Sequence, residues 1–165
     1  MRSPCSGQGP LTQWIEVRNL AINHINNFVR AKPMETIRRG GCSCGSVRLE
    51  ARGEPMRVGL CHCLTCRKET GGTFMALAVW DRGQVSVTGE TRSWTGTTDH
   101  RHFCSICGST LFSTHDTDNE IEVRLGCFDE APTDWTPQYE LWTPRREHWM
   151  PPIAGAAQHG GNRPE

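Results

Sequence analysis

No stretch of this 165-residue sequence is long and apolar enough to cross a bilayer. The longest uncharged, mostly apolar run, Thr73 to Trp80, falls far short of the roughly 20 residues a spanning helix needs. A secretory signal is also missing: MRSPCSGQGPLTQWIEV has no apolar stretch of signal-peptide length, and Glu16 and Arg18 interrupt what apolar character there is. Neither charge is in excess. The 18 Lys+Arg stand against 18 Asp+Glu and are interspersed rather than clustered, which argues against neutralisation of nucleic-acid phosphates as the main work. Only a local patch from Arg38, Arg39, Arg48, Arg52 and Arg57 keeps nucleic-acid binding in view. Internal repeats are lacking, and the loop Thr70 to Thr73 has no Lys-Ser or Lys-Thr continuation of the kind a phosphate cradle requires. These absences leave one modest, cytoplasmic, non-membrane domain as the expectation.

What the sequence does have is 9 Cys. In a reducing compartment, closely spaced cysteines read as metal ligands or redox centres before they read as disulfides. The chain around them changes texture. Leu11, Trp14, Ile15, Ile22, Ile25 and Val29 fall at helical spacing, with Thr12 as N-cap, so an N-terminal helix is expected within residues 1–35. Met34 sits directly before the β-rich region and would make a sensible start. The segment ahead of it reads as either an appended helix or an upstream-start artefact. From Gly40 onward, short β-branched or alternating runs are separated by Gly, Pro and Asp. Strands are expected at Val47 to Glu50, Val58 to Cys61, Phe74 to Trp80, Val85 to Thr88, Ser109 to Ser113, Ile121 to Leu125 and Tyr139 to Trp142, with a helical turn at Leu64 to Glu69. The Pro, Gly and Ala-rich end, residues 153–165, reads as a disordered, flexible tail.

Seven cysteines form three knots: Cys42 and Cys44, then Cys61, Cys63 and Cys66, then Cys104 and Cys107. Residues i and i+2 of an extended strand share a face, so Cys42 and Cys44 can converge on one ion. The CxxC knuckle of Cys104 and Cys107 ends on Gly108, which permits the tight backbone that follows. Four sulfurs from two knots make a closed tetrahedral zinc site. Taking Cys42, Cys44, Cys104 and Cys107 for that site leaves Cys61, Cys63 and Cys66 for a second zinc with a free position. A zinc ribbon from Cys63, Cys66, Cys104 and Cys107 is an equally allowed partition of the spacing.

The runs GGCSCGSVRLE (Gly40 to Glu50), CHCLTCRKETGGTF (Cys61 to Phe74), RHFCSICGSTLF (Arg101 to Phe112) and RLGCFDEAP (Arg124 to Pro132), with Trp149 in REHWMP, resemble the glutathione-dependent formaldehyde-activating (GFA) family. The centromere protein V domain is similar. The resemblance covers residues 36–152 and implies a mainly β, single β-tent zinc domain with two zinc ions. It implies Cys42, Cys44, Cys104 and Cys107 as structural ligands, and Cys61, Cys63 and Cys66 as the ligands of a catalytic, open zinc.

Zinc favours a thiolate over a thiol, so an open site suits a substrate thiol such as glutathione and its reversible addition to an aldehyde such as formaldehyde, the chemistry of a carbon–sulfur lyase. Small thiol and aldehyde substrates are the expected partners. A non-catalytic, zinc-stabilised protein-interaction module is the alternative. Arg48, Arg67, Lys68 and Arg101 lie near the knots and read as solvated charge. His62 reads as facing away from its neighbouring ligands, at the surface or behind them, and His102 as a candidate partner for a sulfur. Cys127 reads as a small buried hydrophobe and Cys5 as a bystander.

Overall fold

The computed structural model describes residues 36–96 and 99–164. The expected N-terminal helix and Cys5 lie outside the described residues. The described part is mainly β. In chain order its elements are β1 (Ile37–Gly41), β2 (Arg48–Arg52), β3 (Arg57–Cys61), α1 (Leu64–Thr70), β4 (Met75–Asp81), β5 (Val85–Thr88), β6 (Thr91–Thr95), β7 (Asp99–Cys104), β8 (Thr110–His115), β9 (Glu120–Arg124), β10 (Tyr139–Leu141) and β11 (Ala157–Gln158). They form two sheets, one ordered β1-β2-β5 and the other β11-β10-β3-β4-β9-β8-β7-β6.

Two buried clusters follow from the two faces of β4. Alternation sends Ala78 and Trp80 to one side, where they join Val47, Leu49 and Ala51 around the small sheet and Leu111, Ile121 and Val123 of the large one. The Trp80 ring meets Phe128 and Trp135 at centroid separations of 5.7 and 5.6 Å, and its indole N–H donates to the Gly53 carbonyl at 3.3 Å. Met75, Leu77 and Val79 face the other way and pack with Cys61 and Cys66, with Cys63, Leu141 and Trp142 against them. The second cysteine knot is thus part of a hydrophobic core.

Strands β1, β6 and β7 escape the sequence pattern because charged and polar residues occupy them. In β7, Arg101 is buried by ion pairing rather than by apolarity, and β6 is an exposed edge. Residues 153–164 are not the free tail their composition suggests. β11 pairs in parallel with β10, Ala157 and His159 donate to the carbonyls of Gln138 and Glu140 at 2.9 Å each, and Trp142 and Thr143 donate to those of Gly161 and His159. Backbone hydrogen bonds to an open strand edge need no apolar side chains, so composition does not register them. The arginine patch is likewise neutralised: Arg38, Arg39, Arg48 and Arg57 pair with Asp134, Glu50, Asp129 and Glu120 respectively, and Arg52 stands 3.8 Å from Glu50.

The small sheet meets the segment after β9 at Gly40, which bridges to Phe128. A Cβ at Gly40 would lie 2.2 Å from the Cys127 carbonyl oxygen. Gly40→Ala is therefore expected to destabilise the domain by about 1–3 kcal/mol, since backbone must yield to admit one methyl. Urea denaturation measures this, and an unchanged midpoint would mean that the approach is not so close.

Candidate metal centres

The first cysteine group joins two turns distant in sequence, the β1–β2 connection and the β7–β8 connection. The Sγ atoms of Cys42, Cys44, Cys104 and Cys107 all lie within 4.8 Å of one another. Zinc with four sulfurs at about 2.3 Å in tetrahedral array sets neighbouring sulfurs about 3.8 Å apart. Cys42 and Cys44 are separated by 3.4 Å, and Cys44 and Cys104 by 3.8 Å, so the donors fit that ion. Cys42 and Cys44 converge on a turn rather than an extended strand: Gly45 N–H donates to the Cys42 carbonyl at 3.0 Å, and Gly45 takes φ 77°. The second turn repeats the device, with Gly108 at φ 73° donating to the Cys104 carbonyl at 3.1 Å. Backbone N–H groups of Val47 and Ile106 donate to the sulfurs of Cys42 and Cys104 at 3.2 and 3.4 Å. Ser109, which hydrogen-bonds Cys107, leads the contacts that hold the Cys107 thiol down to about 5.

Cys61 ends β3, Cys63 caps α1, and Cys66 is the buried residue of that helix. Their Sγ atoms also lie within 4.8 Å of one another. Cys63 sulfur accepts the Cys66 N–H at 3.3 Å. Hydrogen bonds from the Cys61 and Cys66 thiols hold the Cys63 thiol down to about 2; the bond Cys61 makes to Cys63 pushes its own thiol up to about 11, and the bonds Cys66 makes to Cys61 and Cys63 push it up as well. A dication bound at the trio would favour the thiolate form of all three. Among the described residues, no His, Asp or Glu atom joins this trio as a fourth donor.

His62 is fully buried and takes no part in the sulfur group; its Nε2 meets Glu140 Oε2 at 3.0 Å. Burial works against the ionised form of Glu140. Donors from Ile153 N–H, Gln158, His62 and Arg146 outweigh it and hold the carboxyl down to about 2. His102 stacks on Phe112 at 4.4 Å. Cys127 donates to the Thr110 carbonyl at 3.1 Å, and burial pushes its thiol to about 11, an inert hydrophobe as its position suggested.

Arg101 is not the solvated charge its sequence neighbourhood suggests. Its side chain is 10% exposed and pairs with Glu69 and Asp99, while Arg124, 5% exposed, shares the same Glu69 at 2.7 Å. Arg67, half-buried, holds Glu147 and the carbonyls of Thr73 and Arg145. Arg48 pairs with Asp129 at the surface, and Lys68 is exposed. Sequence reasoning missed Glu69, Arg124 and Glu140. For Glu69 a signal exists, one helical turn from Cys66 on α1, whereas Glu140 falls on a strand whose covering lies beyond it. A cavity of about 400 Å³ lies between the two cysteine-bearing regions, with Ser43, Glu69, Thr70, Phe74, Met75 and Arg124 in its wall.

Fold and site together define a mainly β domain carrying a four-cysteine and a three-cysteine group, both suited to holding metal. The family model of the glutathione-dependent formaldehyde-activating enzyme matches residues 37–145, and the chain belongs to that family. A Schizosaccharomyces pombe protein named as an uncharacterized lyase is 32% identical over 74 residues, 44% of this chain and 54% of that protein. The chain thus spans about half the length of that curated relative. A Rhodobacter sphaeroides protein of known crystal structure superposes with a TM-score of 0.49 at 21% identity, over 60% of this chain and 97% of the other. Among the described residues no helix is long and apolar enough to cross a membrane.

Glu69 neutralises two buried guanidinium groups, so Glu69→Ala is expected to cost about 3–5 kcal/mol of stability. Chemical denaturation reads this directly. A loss below about 1 kcal/mol, the level of a surface ion pair, would show that solvent reaches the network.

Proposed function

We propose that the protein is a zinc-dependent carbon–sulfur lyase that catalyses the reversible addition of a small thiol, glutathione-like, to an aldehyde such as formaldehyde. In this reading it holds two zinc ions. Cys42, Cys44, Cys104 and Cys107 close around the structural one, and Cys61, Cys63 and Cys66 hold the catalytic one. The observation that carries the reading is the three-sulfur group with no fourth protein donor among the described residues. Membership of the GFA family and the lyase name of the S. pombe relative support it. So many free thiols suit a reducing compartment such as the cytoplasm.

When bound at the trio, zinc would stabilise a deprotonated thiol and the thiolate that departs in the reverse direction. The chain's own contribution is placement. Cys61, Cys63 and Cys66 converge from one strand end and one helix, and Met75, Leu77 and Val79 keep water from the inner side of the group. The cavity beside α1 offers room for the body of a small thiol, with Thr70 and Ser43 hydroxyls in its wall. In the forward direction the sulfur–carbon bond forms as the thiol loses its proton and the carbonyl oxygen gains one. The reverse step returns aldehyde and thiol.

The test follows S-hydroxymethylglutathione formation by NMR with zinc-loaded protein, against free zinc at matched concentration. Acceleration is expected with the native protein and none with Cys63→Ser, which should still fold. Cys104→Ser is expected to lose cooperative thermal melting, because structural zinc couples directly to folding. Equal rates with and without protein would reject the glutathione reaction. Identical melting of the two variants would reject the division into structural and catalytic sites.

A further inference from the structure

The segment that follows the family-matched span converges on one buried carboxylate behind the three-cysteine group. Glu140, 1% exposed, lies in β10, which pairs in parallel with β3 so that Leu141 stands opposite Cys61. Its Oε2 accepts from His62 Nε2 at 3.0 Å and from Arg146 Nη1 at 3.2 Å, and its Oε1 accepts from the Ile153 N–H at 2.6 Å and Gln158 Nε2 at 3.0 Å. Every one of these partners is a donor, so only an acceptor at both oxygens satisfies the set, which a carboxylate provides and an amide does not. His62 is the residue between Cys61 and Cys63, and its own N–H donates to the Leu141 carbonyl at 3.0 Å. The ligand-bearing turn is thereby anchored to β10 by both backbone and side chain.

Three of the four donors, Arg146, Ile153 and Gln158, lie beyond residue 145, where the family match ends. Gly161 and Asn162, further along, hold Trp142 at φ 57°, a conformation that a bulky side chain keeps only when its surroundings impose it. Its backbone N–H donates to the Gly161 carbonyl at 3.2 Å, its indole N–H donates to Asn162 Oδ1 at 2.9 Å, and its ring packs against the cysteine cluster.

We propose that Glu140 is a positioning residue for the three-cysteine site, and that residues 146–158 act through it to hold the Cys61–His62–Cys63 turn in its metal-ready shape. The strap thereby sets how firmly this site, and not the four-cysteine site, retains its metal. The inference rests on the reading that Cys61, Cys63 and Cys66 hold a metal ion.

The experiment loads full-length protein with zinc and follows zinc transfer to a chromophoric chelator. Alkylation and mass spectrometry assign each phase to Cys61, Cys63 and Cys66 or to the other group. Two zinc equivalents are expected in the native protein. Glu140→Gln should release the three-cysteine zinc about 10–100-fold more readily, with the four-cysteine phase unmoved. Gln158→Ala, a change at an exposed residue that removes one donor to Glu140, should shift the same phase less. Unchanged release in both variants, or equal loosening of both sites, would overturn the positioning role. A native protein that takes up one zinc and leaves Cys61, Cys63 and Cys66 open to alkylation would overturn the metal reading of the trio, and the inference with it.

Discussion

Sulfur crowding is the constraint around which the rest of this domain is arranged. Seven thiol sulfurs stand in two groups, each drawn within 4.8 Å, a spacing at which ionisation of one opposes ionisation of the next. Cations among the sulfurs would relieve that opposition. The β1–β2 turn is tied to the β7–β8 turn through the first group, and β3 to α1 through the second. Metal cross-links at these groups would give a β domain of this size what a larger apolar core would otherwise provide.

The polar interior is organised around carboxylates that each serve several donors. Glu69 joins α1 to β7 and β9 by way of Arg101 and Arg124, and Glu140 joins β10 to the turn before α1 and to the chain's end. Both lie close to the three-cysteine group, so the helix that carries Cys66 and the turn that carries Cys61 and Cys63 are each moored to a buried acid. The exposed Arg39 and Arg48, by contrast, each meet one carboxylate at the rim, where such pairs contribute little to stability.

How far the fold was legible depended on what marked each element. β5 and the core of β4 announce themselves by β-branched and apolar runs, and the cysteine spacing allowed the grouping of four sulfurs and three that the structure shows. Arg101 and Arg124 were illegible because a charged residue is buried only by a partner, and Glu69 is 55 residues from Arg124. Glu140 lies within the expected strand Tyr139 to Trp142, but nothing in the sequence marks it as buried. Its carboxylate is enclosed by His62, Arg146, Ile153 and Gln158, and β11 is held beside β10 by backbone bonds from Ala157 and His159 that leave no apolar signature. The convergence of Cys42 and Cys44 was expected from the right residues for a different local reason, a turn made by Gly45 in place of extended backbone.

The position of these parts along the chain also dictates an order of events during synthesis. All four sulfurs of the first group have emerged once Cys107 leaves the ribosome, whereas the partners of Glu140 arrive only with Arg146, Ile153 and Gln158. Contacts that span such separations form late, after the loops that close them have been ordered. The four sulfurs of the first group can thus come together while Glu140, beside Cys61 and Cys63, still awaits most of its donors.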